Sequence, residues 1–167
     1  MKASIIEEAI VRIDGSEELV GIATVTIPDI ENKTETVSGL GVIEHDIVLQ
    51  TAFNSMKMNI KFINRNKNIS LPANNINLVI KAQITGVDPE THEWTEQVAT
   101  YSIKGKKVKT SGGELGKAIK NETEIELALT YFKEEIDDVL VTEIDVYNRK
   151  AQINGIDLYE KVRNNLQ

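Results

Sequence analysis

The stretch Asn121–Lys133, which reads NETEIELALTYFK, decides the fold class of this chain. Apolar and polar residues alternate along it with a period of two. Successive side chains of a β-strand point to opposite faces of a sheet, so this pattern predicts a strand with one buried face. The face predicted to be buried carries Thr123, Ile125, Leu127, Leu129 and Tyr131. The opposite face carries Glu122, Glu124, Glu126, Ala128 and Thr130.

The C-terminal segment contains a strand, a turn and a helix in that order. Residues 143–167 read EIDVYNRKAQINGIDLYEKVRNNLQ. Asn154-Gly155 predicts a tight turn, because both residues tolerate a positive φ. Apolar residues recur at helical spacing after the turn, so we predict a short amphipathic helix over 156–166. Its apolar face would carry Ile156, Tyr159, Val162 and Leu166.

Upstream, residues 31–50 predict a long hairpin that projects from the body of the protein. Residues 31–37 place polar side chains on both faces, and a strand without an apolar face cannot be a core strand of an isolated domain. Residues 38–43 read SGLGVI and form a glycine-rich tip, after which a second strand returns. The apolar residues of this tip are Leu40, Val42 and Ile43.

Other segments also have strand character. Leu19–Ile27 ends before Pro28, which cannot donate to a strand ladder. Met56–Ile63 alternates Met56, Met58, Ile60 and Phe62 with polar residues, which predicts a strand, with the start of a short helix as the alternative. The pattern predicts a mainly β (α+β) fold, an antiparallel β-sandwich or open barrel with one or two helices.

Composition limits the function. The 167 residues suffice for one domain with a sizeable core, so we expect a single domain over 1–167. No cysteine is present, which excludes disulfides and thiolate chemistry. The formal charge of −7 disfavours stable binding to nucleic acid. The N-terminus does not read as a signal peptide and no run reaches transmembrane length. We expect a protein made inside a cell, without stable membrane association.

The sequence predicts no catalytic, metal or cofactor site. His45 and His92 have no neighbouring histidine or cysteine, whereas catalytic zinc usually needs three protein ligands. Residues 112–117 resemble a phosphate loop only superficially. Ser111 stands where that motif needs glycine, and Ala118 stands where it needs a hydroxyl. We therefore expect a protein that is not an enzyme.

Two charged runs favour solvated strand faces. The lysines of residues 104–109 are better explained by solvation or by ion pairs than by nucleic-acid binding, given the net charge. Glu122, Glu124 and Glu126 lack the glycine-punctuated loop of a calcium site. A charged face toward solvent or a lumen explains them better.

Several stretches, in the same order, resemble the major tail tube proteins of contractile-tailed bacteriophages and of related phage-tail-like particles such as contractile bacteriocins. The stretches IELALTYFK and VTEIDVYNRKAQINGIDLYEKVRNNL carry the resemblance at the C-terminal end. At the front it rests on IVRIDGSEELVGIATVTIPDIENKTETVSGLG, with its turn at Asp14-Gly15. Residues 64–97 match only in general pattern.

The resemblance implies a β-sandwich or split barrel that closes into hexameric rings. The rings would stack into a hollow tube that penetrates a target envelope and conducts DNA or other cargo. On this reading the tip residues Leu40, Val42 and Ile43 stack neighbouring rings, because an apolar tip makes little sense on a monomer. An acidic lumen would let DNA slide without sticking. Its candidate residues are Glu31, Glu35, Glu44, Asp46, Glu122, Glu124 and Glu126.

The implied partners are further copies of the chain and the contractile sheath protein, together with baseplate, tape-measure and tail-terminator proteins. DNA would be a transient, non-specific cargo. The protein would lie in the bacterial host cytoplasm during assembly and then in a virion tail or a released particle. The alternative is a monomeric β-sandwich binding module, which would need an aromatic-lined pocket. One Trp, four Tyr and three Phe support such a pocket poorly. Oligomeric state would separate the two hypotheses.

Overall fold

The computed structural model describes residues 3–14, 19–63, 65, 67 and 71–167. Gly15 of the predicted Asp14-Gly15 turn lies outside these residues. Within them the chain forms eleven strands and one helix. The elements are β1 (Ala3–Ile13), β2 (Leu19–Thr26), β3 (Asn32–Gly39), β4 (Val42–Phe53), β5 (Met56–Phe62), β6 (Ile76–Val87), β7 (Trp94–Ser111), β8 (Thr123–Ile136), β9 (Val139–Asp145), β10 (Lys150–Ile153), β11 (Ile156–Asp157) and α1 (Glu160–Asn165).

Nine strands form one antiparallel sheet in the order β11-β10-β9-β8-β5-β2-β1-β6-β7. The end strand β7 also pairs back onto β8, since one edge of β8 pairs with β7 while the other edge pairs first with β5 and then with β9. Within the described ranges β3 and β4 pair only with each other and form a separate two-stranded sheet. This architecture confirms the predicted mainly β, antiparallel sandwich.

The core lies where the alternating faces of β5 and β8 meet those of the neighbouring strands. Met56, Met58, Ile60 and Phe62 are all buried, as their alternation predicts. Ile125 and Leu127 of β8 are 0% exposed. Burial of such side chains is the main favourable contribution to folding, at roughly 1.5–3 kcal/mol for each fully buried one.

A β-bulge at Thr130 changes the face that β8 presents to the core. Consecutive residues of β7 pair with Leu129 and Tyr131, so Thr130 is the additional residue of β8. Beyond it Phe132 is buried while Tyr131 is only partly buried. The prediction that Tyr131 shares the inward face of Leu129 is therefore wrong, because one extra residue reverses the alternation.

The bulge also explains a glycine in the facing strand. A Cβ on Gly105 would lie 2.2 Å from the carbonyl oxygen of Ala128, much closer than any non-bonded contact allows. The backbones of β7 and β8 approach each other here at a distance that only glycine permits.

The C-terminal turn is confirmed, but the helix is shorter than predicted. Asn154 and Gly155 both have positive φ, 51° and 81°. They connect β10 to β11, so Ile156 and Asp157 belong to a strand and not to the predicted helix over 156–166. The helix begins only at Glu160, because pairing with β10 gives the residues after the turn backbone hydrogen bonds that a helix would otherwise supply.

Candidate assembly surfaces

The tip of the β3–β4 hairpin is the most exposed apolar surface among the described residues. Leu40 and Gly41 form a two-residue turn in which Gly41 has a φ of 81°, a left-handed conformation that favours glycine. The exposed fractions of Leu40 and Ile43 are 106% and 89%, and that of Val42 is 49%. The structure thus brings the three predicted stacking residues together at one end of the hairpin. Their role in stacking stays a prediction.

The base of the hairpin is held by specific hydrogen bonds. The Asn32 side-chain amide donates to the carbonyl oxygen of Leu49 at 3.0 Å. The Tyr159 hydroxyl donates to the carbonyl oxygen of Thr51 at 2.7 Å, which ties the C-terminal segment to β4. The Arg149 guanidinium lies 5.7 Å from the centre of the Tyr159 ring. The base is therefore anchored to the body, while the tip extends free of it.

The four candidate lumen residues of the hairpin do not share one face. Glu35 lies opposite Ile47, and Thr36 lies opposite Asp46. Directly opposite residues share a face and adjacent residues do not, so Glu35 and Asp46 point to opposite sides. Asp46 also accepts a hydrogen bond from the Thr36 hydroxyl at 2.7 Å. All four are exposed, namely Glu31, Glu35, Glu44 and Asp46.

Lysines lie beside the candidate lumen residues Glu122, Glu124 and Glu126, at the start of β8 and just before it. Lys61 Nζ lies 2.8 Å from Glu122 Oε2, and Lys57 Nζ lies 3.7 Å from Glu126 Oε1. On the other side Lys109 of β7 lies opposite Glu126. The hydrogen bond with Lys61 lowers the pKa of the Glu122 carboxyl and raises that of Lys61. The acidic face predicted from Glu122, Glu124 and Glu126 is thus a face of alternating charge, whose field is weaker than its carboxylates alone would give.

A buried polar network, which the sequence analysis missed, joins β8, β9 and β10. Glu143 is only 7% exposed. Its carboxylate accepts a hydrogen bond from the Tyr131 hydroxyl at 2.7 Å and pairs with Lys150 Nζ at 2.5 Å. Burial by itself would raise the pKa of Glu143, but the hydrogen bonds from Lys150 and Tyr131 outweigh it and hold the pKa below its usual value. Only the strand register brings these groups together, and no sequence motif marks them.

The main sheet splits between β1 and β2. These strands pair at Ile10, Val11 and Arg12 of β1, and no described residue of β1 before Ile10 pairs with β2. The earlier part of β1 continues along β6, while residues 23–26 of β2 pair with β5 instead. Among the described residues, no strand pairs with the edges that the two diverging strands turn toward each other, residues 3–9 of β1 and residues 23–26 of β2.

A groove of about 880 Å³ lies at this split. Its walls carry the apolar residues Ile6, Val25, Ile27 and Ile63, and also the charged residues Glu7, Glu8 and Lys81. Ile6, Ile27 and Ile63 are 59%, 43% and 60% exposed. Tyr101 is the one aromatic residue among the described residues that line it, and burial, with a smaller effect of Glu134, raises its pKa to about 12. Exposed apolar side chains grouped in this way are typical of an interaction surface.

The described residues contain neither a candidate metal cluster nor a helix that could cross a membrane. Among them, no group of three or more histidine, cysteine, aspartate or glutamate side chains is arranged to hold a metal ion. No helix in the described ranges is long and apolar enough to span a membrane. The surfaces that remain to be explained are the hairpin tip, the groove and the charged face of β8.

Comparison with known proteins identifies a family. The family model for phage tail tube protein FII matches residues 3–166. No curated protein matches the sequence significantly.

Comparison with solved structures gives chains that are similar to this one. One similar chain is in a cryo-EM structure of the PVC sheath/tube terminator of an extracellular contractile injection system, in the extended state. It is 12% identical, the match covers 77% of this chain and 94% of that chain, and the TM-score is 0.51. A second is in the PVC sheath-tube complex in the extended state, with 14% identity, 76% and 87% coverage and a TM-score of 0.49. At this identity the first likeness shows a shared fold.

Proposed function

We propose an assembly role for the exposed surfaces of this chain, which belongs to the phage tail tube protein FII family. The chain is a structural tail tube subunit of a contractile phage tail or a phage-tail-like particle. Its copies close into six-membered rings, and the rings stack into a hollow tube. Ring contacts of this kind are heterologous, because different surfaces of neighbouring subunits meet head to tail.

The observation that carries the stacking role is the exposure of the hairpin tip. Exposure of the apolar side chains of Leu40, Val42 and Ile43 to water is unfavourable, and these residues do not belong to the core of the subunit. The anchored base of the hairpin supports them at a distance from the body. Contact with a second copy would therefore bury the apolar side chains of the tip, which stay exposed in an isolated subunit.

The partners of the tube follow from the same role. We assign sheath association to its outer surface, in line with the sheath-tube complexes to which the similar chains belong. Baseplate, tape-measure and tail-terminator proteins would contact its ends and lumen, and DNA or other cargo would pass without binding. Assembly would take place in the bacterial host cytoplasm. Some of the candidate acidic residues would face the lumen, and the candidates are Glu31, Glu35, Glu44, Asp46, Glu122, Glu124 and Glu126.

The alternative of a monomeric binding module has little support. An aromatic-lined pocket would be its expected feature. The groove at the β1–β2 split has Tyr101 as the one aromatic residue among its described lining residues. The family, in contrast, is structural, and this agrees with a protein that is not an enzyme.

Negative-stain electron microscopy of the purified protein across a concentration series tests the function. We expect rings or hollow tubes from the wild-type protein. The double variant Leu40→Asp, Ile43→Asp is expected to keep its fold and to stop tube elongation, because two charges at the tip would have to be buried. The matched control is Leu115→Asp, Val139→Asp, since both residues are strongly exposed outside the hairpin.

Two outcomes would contradict these assignments. Normal tubes from the tip variant would exclude the stacking role of Leu40 and Ile43. A monomer at every concentration, even after addition of a baseplate nucleus, would exclude self-assembly and favour the binding module.

A further inference from the structure

No described residue of the same subunit fills the groove at the β1–β2 split. We propose that the tip of the β3–β4 hairpin from a second copy of this chain inserts into it. This inference rests on the proposed function, which brings copies of the chain together. It adds the receptor site on which the tip docks.

The chemistry of the two surfaces matches. Residues 37–43 carry no charge, in a chain of which 27% is charged. The groove presents Ile6, Val25, Ile27 and Ile63 on its walls. A tip of uncharged residues can pack against these isoleucines and Val25 without placing a charge of its own against them, while the charged lining residues Glu7, Glu8 and Lys81 keep access to solvent at the open groove.

The backbone edges match as well. Residues 3–9 of β1 and 23–26 of β2 are open toward the split. The described hairpin strands β3 and β4 pair only with each other, so each also has an open outer edge. An inserted hairpin can continue the ladder from either wall, and main-chain hydrogen bonds then add to the apolar contact.

The occupant comes from another copy. In its own subunit Leu40 is 106% exposed and Ile43 is 89% exposed, so the tip does not fill its own groove. Tip and groove are different surfaces, and a contact between them leaves one free groove and one free tip on every pair of copies. Such a heterologous contact propagates, as tube growth requires.

Cysteine cross-linking tests this contact directly, because the natural chain has no cysteine. Leu40→Cys protein is mixed with Ile63→Cys protein and treated with a short thiol cross-linker. The control mixture pairs Leu40→Cys with Val139→Cys, because Ile63 and Val139 are similarly exposed, at 60% and 66%. We expect at least about tenfold more cross-linked heterodimer from the first mixture, because juxtaposed thiols react at a high effective concentration.

A groove variant gives a second measurement. Ile27→Asp in the Ile63→Cys protein is expected to abolish the cross-link to Leu40→Cys, because it places a charge in the groove. Its thermal unfolding should match that of Val139→Asp, since both positions are exposed. Loss of the cross-link without loss of the fold assigns the contact to the groove.

The outcomes separate this inference from the proposed function. Tubes seen by electron microscopy without the Leu40–Ile63 product would overturn the groove assignment and leave the tube function intact. Absence of tubes, even after addition of a baseplate nucleus, would contradict the function. In that case the cross-linking yield of the unassembled protein at high concentration tests the inference. More Leu40–Ile63 product than Leu40–Val139 product would support the contact. Equal yields from the two mixtures would overturn it.

Discussion

Truncation of Leu127 to alanine tests the inward face of β8. Leu127 is 0% exposed and lies opposite Met58 of β5. The change removes three carbon atoms. The folded state thereby loses roughly 2.4 kcal/mol of favourable burial free energy, at about 0.8 kcal/mol per methylene. Strands held by ladders on both edges can close only part of the resulting cavity, which adds a further cost. We therefore expect the free energy of unfolding to fall by about 3–4 kcal/mol.

Urea unfolding measures this loss by linear extrapolation. The experiment is best done in the Leu40→Asp, Ile43→Asp background, because assembly would otherwise stabilise the folded subunit by mass action. Glu126→Ala is the matched control. Glu126 is the adjacent residue on the opposite face, and its ion pair with Lys57 is solvent-exposed, so a loss below about 1 kcal/mol is expected.

The result for Leu127→Ala can refute the assignment of the two faces. A loss below about 0.5 kcal/mol, the range of ordinary surface substitutions, would show that Leu127 does not contribute to the core. A larger loss for Glu126→Ala than for Leu127→Ala would show that the faces of β8 are reversed.

Two further substitutions test the close approach of β7 and β8 at Gly105 and the polar network around Glu143. Gly105→Ala should lower the free energy of unfolding by about 1–3 kcal/mol, because the new Cβ would meet the Ala128 carbonyl. The control in urea unfolding is Gly39→Ala, because a Cβ there would have no other atom within 4 Å. Equal losses for the two variants would exclude the close approach of β7 and β8. Glu143→Gln should cost about 1–3 kcal/mol at pH 7, because a charge-assisted hydrogen bond is lost. The folded pKa of Glu143 lies below the unfolded value of about 4.3, so its contribution is complete above that pH and is lost as pH falls through the folded pKa. The stability difference between wild type and Glu143→Gln should therefore shrink in acid, and a difference independent of pH would contradict the assignment.

Local patterns in the sequence predict much of the fold. The alternation in β5 and β8 identifies buried residues such as Ile60 and Leu127, because side-chain direction in a strand depends only on position along the chain. Asn154-Gly155 predicts its turn because its conformational preference is local. The exposed tip around Leu40 is also predictable, since the strand that leads to it, residues 31–37, has no apolar face and so has no place in the core of an isolated domain.

Tertiary structure alone decides where alternation stops and which edges stay open. The bulge at Thr130 reverses the inward face of β8, and no local signal in the sequence marks it.

Some features of the candidate assembly surfaces are predicted by the sequence, and others depend on the tertiary structure. By itself the sequence determined a mainly β chain with a projecting apolar tip. Tertiary structure placed lysines beside the β8 glutamates, buried Glu143 against Tyr131 and Lys150, and opened the groove between β1 and β2. The physical reason is that strand alternation is a property of neighbouring residues. Register, burial of a charge and an unpaired edge depend instead on contacts between residues far apart in the chain.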